Sequence, residues 1–167
     1  MLLDLTLAFV SSACASLFFN ISRRNIAWSA LVGAAGWGVY QIVLGLSQPE
    51  TVATFIASLV IGLLGESLAI IRKKPATTFI LPGIIPLVPG AGMYFTMVAL
   101  QARDVFLAAT RGIQTIFIAL AIACGLVISL TLLRLVRRYQ QKKPASVPHI
   151  ARDLIERPEH RDSSSNE

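Results

Sequence analysis

The sequence has 167 residues, few of them charged, and little of the chemistry that builds catalytic or metal sites. Charged residues make up 14% of the chain, whereas soluble domains carry about 25%. Both histidines, His149 and His160, lie near the C-terminus. The two cysteines, Cys14 and Cys124, lie in apolar stretches without metal-ligand spacing, so we expect small core residues there. These absences argue against a soluble domain, an enzyme, a metal site and a cofactor.

Apolar residues are abundant instead, at 54% of the chain, with a mean hydropathy of +0.67. This content is too high for a chain that is disordered over most of its length. Short polar stretches separate five apolar segments, each about as long as a bilayer core is thick. They run over residues 2–21, 26–46, 52–71, 79–100 and 113–133. The sequence therefore predicts an all-α integral membrane protein with five transmembrane helices.

The positions of the basic residues predict how the chain is oriented. Thirteen of the fifteen Lys and Arg residues follow the first, third or fifth apolar segment or lie in the C-terminal tail. Arg103 and Arg111 fall on the other side. The positive-inside rule then places the N-terminus outside and the C-terminus in the cytoplasm, in a multi-pass protein of the plasma membrane. The alternative, four spans with residues 79–100 as a re-entrant loop, would put the basic residues after the last segment outside.

A change of composition predicts the domain boundary. Residues 1–143 form the expected membrane domain, and residues 144–167, with three prolines and mixed charges, form an expected disordered cytoplasmic tail. The basic residues before the tail can attract anionic lipid. We expect no nucleic-acid binding, because the basic clusters adjoin membrane spans and lack interleaved aromatic residues.

The fourth apolar segment contains three prolines and three glycines within residues 82–92. Proline removes a backbone donor and clashes with the preceding helical turn. Interrupted backbone at membrane depth must be satisfied by protein or by a water-filled cavity, and such breaks form binding sites in secondary transporters. A kinked structural helix is the alternative. The residues predicted to break the helix are Pro82, Gly83, Pro86 and Pro89.

A half-helix that restarts near residues 89–92 would direct free amides and a positive dipole end at an anion, for which a small carboxylate substrate is the natural guest. Glu66 is the one acidic residue well inside a predicted span. It is either a substrate or proton site, or a structural carboxylate that pairs with Arg72 or reaches interfacial water. The candidate substrate-binding residues are Gly90, Ala91, Gly92, Tyr94, Thr96 and Glu66.

Small residues recur at four-residue spacing along several segments, which is typical of helices that pack closely in membranes. Examples are Ser12 with Ser16, Ser58 with Gly62, and Gly125 with Ser129. Such faces either hold the bundle together or receive a partner chain.

The chain resembles the threonine/serine exporter family, in the short form that has only the C-terminal membrane half. The resemblance covers about residues 5–135. It rests mainly on the sequence PGIIPLVPG at residues 82–90 followed by Tyr94, and also on residues 19–24, 28–36 and 54–62. It implies a proton-motive-force-dependent exporter of threonine and serine that works with a second five-helix subunit. It assigns no residue roles. Export of a dicarboxylate such as succinate, or a non-transporting scaffold, are the alternatives.

Overall fold

The computed structural model describes residues 2–141, and side chains as far as residue 135. All regular structure in this part of the chain is helical, which confirms the all-α prediction. The helices are α1 (Leu2–Phe18), α2 (Arg23–Gly45), α3 (Glu50–Arg72), α4 (Thr77–Ile84), a 3₁₀ turn (Ile85–Leu87), α5 (Gly90–Gln101) and α6 (Val105–Gln141). The expected tail at residues 144–167 lies outside the described residues.

Three of the described helices are long and apolar enough to cross a membrane: α2, α3 and residues 105–135 of α6. The segments Thr77–Leu87 and Gly90–Gln101 form a pair bent by 43°, which is either one broken span or a re-entrant loop. The apolar helix α1 is shorter, at 17 residues. The chain is thus a helical membrane protein, while five crossings and the orientation stay predictions.

Helix α6 begins earlier than the sequence predicted. Residues 101–112 were expected to form a polar loop, but the connection is only residues 102–104. The amide of Leu107 donates to the Asp104 side chain at 3.0 Å, and the amide of Ala108 donates to the Asp104 carbonyl at 3.0 Å. Asp104 therefore caps the helix. As a consequence, Arg111 lies more than one turn inside α6.

Serine and glycine allow α1, α2 and α4 to approach closely. A Cβ atom at Gly33 of α2 would overlap the Ser12 hydroxyl of α1 and would lie 3.4 Å from Cα of Gly83 in α4. One turn away, the hydroxyls of Ser16 and Ser29 share a hydrogen bond of 2.7 Å. Since Ser12 opposes Gly33 and Ser16 opposes Ser29, α1 and α2 run antiparallel.

Helices α3 and α6 are joined by two reciprocal contacts between serine and glycine. A Cβ atom at Gly125 would overlap the Ser58 hydroxyl, and one at Gly62 would overlap the Ser129 hydroxyl. The constant sequence offset means that the two helices run parallel. Next to these contacts, buried apolar residues join α2, α3, the 3₁₀ turn and α6: Val32, Ala57, Ile61, Leu87, Ile118 and Ile122.

The two cysteines are not core residues, and this prediction was wrong. Cys14 and Cys124 are both exposed on the surface of the chain. The reason is that the outer face of a membrane helix meets lipid rather than water. A thiol behaves as a small apolar group and is tolerated on such a face. Apolar character therefore did not separate interior from exterior positions here.

Candidate functional site

The backbone breaks between α4 and α5, at Val88 and Pro89. Pro89 has φ −75° and ψ 53°, and the amide of Gly90 donates to the Val88 carbonyl at 2.7 Å. This geometry is that of an inverse γ-turn. Helix α5 then starts with a bond of 3.2 Å from the Met93 amide to the Pro89 carbonyl. The amides of Ala91 and Gly92 therefore have no intrahelical acceptor.

A cavity of about 380 Å³ opens at this break. It lies at the end of the bundle where α2 ends and α3 and α6 begin, so four parts of the chain form its wall. Helix α2 supplies two aromatic residues, α3 and α6 supply polar ones, and the break supplies backbone. The lining residues are Trp37, Tyr40, Glu50, Thr54, Pro86, Leu87, Val88, Pro89, Ala91, Gly92, Phe95, Arg111, Gln114, Thr115 and Ile118.

Glu50, the first residue of α3, connects three helices at the cavity. The Tyr40 hydroxyl of α2 donates to Oε1 of Glu50 at 3.3 Å, and Nε2 of Gln114 in α6 donates to Oε2 at 3.1 Å. These bonds hold the carboxylate in place although the side chain is exposed. Arg111 lines the same cavity, from the turn of α6 before Gln114. One anionic and one cationic side chain thus face a single volume.

The remaining polar groups of the wall differ in what they can still bind. The hydroxyls of Thr54 and Thr115 donate to the carbonyls of Glu50 and Arg111 on their own helices, each at 2.7 Å. Their oxygens therefore retain only lone pairs for a guest. Among the described residues, the buried Nε1 of Trp37 has no hydrogen-bond partner. The Trp37 ring packs against Tyr40 with centroids 5.0 Å apart.

Some of the residues predicted from the sequence lie at this cavity. Ala91 and Gly92 line it together with Pro86 and Pro89. Two predicted helix breakers act differently: α4 continues through Pro82 and Gly83, and the break falls at residues 88–89 instead. Gly83 packs against α2 and α3, where a Cβ atom would lie 3.1 Å from Val32 and 3.2 Å from Ile61. Its role in the structure is close packing.

Other predicted residues lie away from the cavity. Gly90 borders open space, and its amide is already bonded to the Val88 carbonyl. Tyr94 is 65% exposed. The Thr96 hydroxyl donates to the Gly92 carbonyl at 2.7 Å. Neither Tyr94 nor Thr96 contributes to the lining.

Glu66 is buried near the other end of α3, at 7% exposure, and does not line the cavity. No hydrogen bond or ion pair from another described residue reaches its carboxylate. Arg72, which was one expected partner, lies instead over the Trp28 ring, 4.8 Å from its centroid. The structure therefore does not bring Glu66 together with the helix break.

Sequence reasoning missed the charged and aromatic residues of the cavity. Glu50 was assigned to a polar connection, Arg111 was assigned to a loop, and Trp37 and Tyr40 were not singled out. A signal was available, because consecutive spans alternate in direction. The end of α2 must therefore meet the starts of α3 and α6, where Tyr40, Glu50 and Arg111 lie.

A family model described as threonine/serine exporter, ThrE, matches residues 4–132. The chain belongs to the threonine/serine exporter family. This confirms the resemblance seen in the sequence and places the protein in a family of transporters. An uncharacterized protein of Haemophilus influenzae is 29% identical over 100 residues, covering 60% of this chain and 34% of that protein. The chain thus matches about a third of the length of this relative. No solved structure matches.

Proposed function

We propose that this member of the threonine/serine exporter family is a plasma-membrane subunit of a secondary exporter of small amino acids. The observation that carries the proposal is the cavity at the helix break, which is lined by both Glu50 and Arg111. An α-amino acid bears an ammonium and a carboxylate group, so its charges are complementary to those of Glu50 and Arg111. The volume of about 380 Å³ lies within the range of small-molecule sites.

The carboxylate of the substrate would bind at the start of α5. The amides of Ala91 and Gly92 lie in the first turn of α5, which carries the positive end of the helix dipole. Arg111 adds a full positive charge to the same cavity. The Gly90 amide already donates to the Val88 carbonyl, so the proposed anion site consists of Ala91, Gly92 and Arg111.

The ammonium group would bind on the side of Glu50. The Glu50 carboxylate is already oriented by Tyr40 and Gln114, so this side chain loses little conformational entropy when the substrate binds. The oxygens of Thr54 and Thr115 can accept further hydrogen bonds, from the ammonium group or from the hydroxyl of threonine or serine.

A dicarboxylate such as succinate is the second candidate substrate. One of its carboxylates could use Arg111 and the free amides, but the other would share the cavity with Glu50. Like charges at close range repel, so Glu50 favours the amino acid. A Glu50→Gln variant removes this repulsion and should improve succinate relative to threonine.

A second membrane subunit completes the proposed exporter. Large apolar side chains are exposed on the outer helices, for example Met97 of α5 and Phe106 and Phe117 of α6. Lipid or a partner helix would cover such a surface.

The proposal is tested by export of labelled threonine, serine and succinate from cells that hold this chain alone, or with a candidate second subunit. Charged hydrogen bonds contribute about 1.5–3 kcal/mol, so Glu50→Gln and Arg111→Gln should each raise KM for threonine by about 10- to 150-fold. Arg103→Gln is the matched control, because Arg103 is exposed and does not line the cavity.

The outcomes separate the alternatives. Export by this chain alone would refute the need for a second subunit. Unchanged KM values in both cavity variants would show that threonine binds at another site. If the protein reaches the membrane at normal levels but never supports flux with any partner, the scaffold hypothesis replaces the exporter.

A further inference from the structure

At the end of the bundle opposite the cavity, the start of α2 and the end of α3 carry five cationic residues, which we call the basic end: Arg23, Arg24, Arg72, Lys73 and Lys74. The first two begin α2, and the other three end or follow α3. The contact between Arg72 and Trp28, together with that between Tyr40 and Glu50, shows that α2 and α3 run antiparallel. The five cations therefore meet at one end. All except Arg72, which is half-buried, are exposed.

The described residues supply little negative charge to balance this cluster. Of the four acidic residues with described side chains, Asp4, Glu50 and Asp104 lie at the starts of α1, α3 and α6, at the other end. Glu66 is buried more than one turn inside α3. Cations so close together repel each other, and an external anion would remove that repulsion.

Aromatic residues give the basic end a defined geometry. The Arg72 guanidinium lies 4.8 Å from the centroid of the Trp28 ring. Because Trp28 follows Arg24 by one helical turn, both residues lie on the face of α2 that Arg72 of α3 contacts. The first turn of α2 also contains free amides, and Ser22 makes no side-chain cap there. Arg24, Arg72 and the positive end of α2 thus lie at the same end of this face.

Exposed apolar side chains adjoin these cations. Ile71 is 72% exposed beside Arg72, and Phe18 at the end of α1 is 87% exposed. A soluble anion would use only the charges, whereas a phospholipid has a charged headgroup next to acyl chains. Cations beside interfacial aromatic residues are the arrangement expected at the headgroup level of a bilayer.

We propose that the basic end binds one anionic phospholipid, with its phosphate held by Arg24 and Arg72 and its acyl chains along Phe18 and Ile71. The chain's own C-terminal segment is a weaker candidate occupant. Residues 144–167 contain five acidic residues but also three arginines, so their net negative charge is small. The proposal does not depend on what the cavity binds.

The test is native mass spectrometry of the purified intact chain with phosphatidylglycerol and, separately, with phosphatidylcholine. We expect selective retention of phosphatidylglycerol at a stoichiometry near one. Each cation near a membrane surface is worth about a fivefold change in binding, so Arg24→Gln and Arg72→Gln should each weaken retention by about that factor. Trp28→Leu keeps every charge but releases Arg72, and a similar loss would show that the stacking positions it. Arg103→Gln, at the other end, is the charge-matched control.

Several results would overturn the proposal. Equal retention of the two lipids by the unmodified protein would by itself refute a preference for the anionic lipid. A loss in Arg103→Gln as large as in Arg72→Gln would show that only net charge matters. Displacement of the lipid by millimolar inorganic phosphate would identify a soluble anion as the ligand. A rise of more than about tenfold in lipid binding on removal of residues 144–167 would make that segment the resident occupant.

Discussion

Gly90 and Gly92 offer a matched pair of substitutions at the start of α5. A Cβ atom at Gly90 meets nothing within 4 Å, whereas one at Gly92 would lie 2.5 Å from Oγ1 and 3.4 Å from Cβ of Thr115. Thr115 is buried, and its hydroxyl is held by a bond of 2.7 Å to the Arg111 carbonyl. The hydroxyl cannot move aside without losing a bond worth about 1 kcal/mol.

The two variants should therefore differ in sign. Replacing a helical glycine by alanine gains up to about 1 kcal/mol, so Gly90→Ala should be neutral or slightly stabilising. Overpacking costs about 1–3 kcal/mol, so Gly92→Ala should lower stability by up to about 2 kcal/mol even after that gain. Pushing α5 away from α6 also displaces the free amides, and we expect threonine export to fall at least about tenfold.

Thermal unfolding of the purified protein and export in cells, normalised to membrane levels, measure the two effects. Thr115→Ala removes the hydroxyl that would lie 2.5 Å from the added methyl, so it should restore the stability of Gly92→Ala. The reasoning is refuted if Gly90→Ala and Gly92→Ala behave alike, or if the second substitution at Thr115 gives no recovery.

Three further predictions test the packing, the orientation and the buried carboxylate. Gly62→Ala should lower the unfolding temperature because the added methyl overlaps Ser129, whereas Gly45→Ala, which meets open space, should not; equal temperatures would contradict the α3–α6 contact. In a cysteine-free background, an impermeant maleimide added to intact cells should label Arg103→Cys and not Lys73→Cys, and the reverse pattern would invert the predicted orientation. Glu66→Gln should change the pH dependence of export, and an unchanged profile would leave Glu66 a structural role.

The helical segments and the interrupted backbone could be predicted from the sequence because they depend on local chemistry. The length of an apolar segment decides whether it can cross a bilayer, and the prolines at residues 86 and 89 lack the backbone N–H that a continuous helix needs. Small residues one turn apart also predicted close packing at Ser58, Gly62, Gly125 and Ser129, but not that α3 and α6 are the helices that pair. The exact position of the break could not be predicted from the local pattern, because Pro82 is accommodated within α4.

The composition of the cavity could not be predicted in the same way. It depends on which helix ends meet, and Tyr40, Glu50 and Arg111 are far apart in the chain. Each is unremarkable in its own segment: an aromatic near a helix end, an acid in a first turn, an arginine near a boundary. The cap at Asp104 places Arg111 inside α6, whereas the sequence prediction started this helix about two turns later, at residue 113.

The separation of Glu66 from the cavity constrains how a proton could be coupled to transport. Glu50 and Glu66 lie on the same helix, 16 positions apart in the sequence; at 1.5 Å per residue this is about 24 Å, too far for one small substrate to touch both. If Glu66 carries a proton, the effect of that proton must reach the cavity through α3 and through the contact between α3 and α6. The nearest part of this contact is Gly62 of α3, one turn from Glu66, which faces Ser129 of α6. Glu66→Gln should then alter the pH dependence while leaving the KM for threonine nearly unchanged, whereas Glu50→Gln should raise KM at every pH. A Glu66 variant that shifts KM as strongly as Glu50→Gln would show that the substrate moves along α3 between two sites.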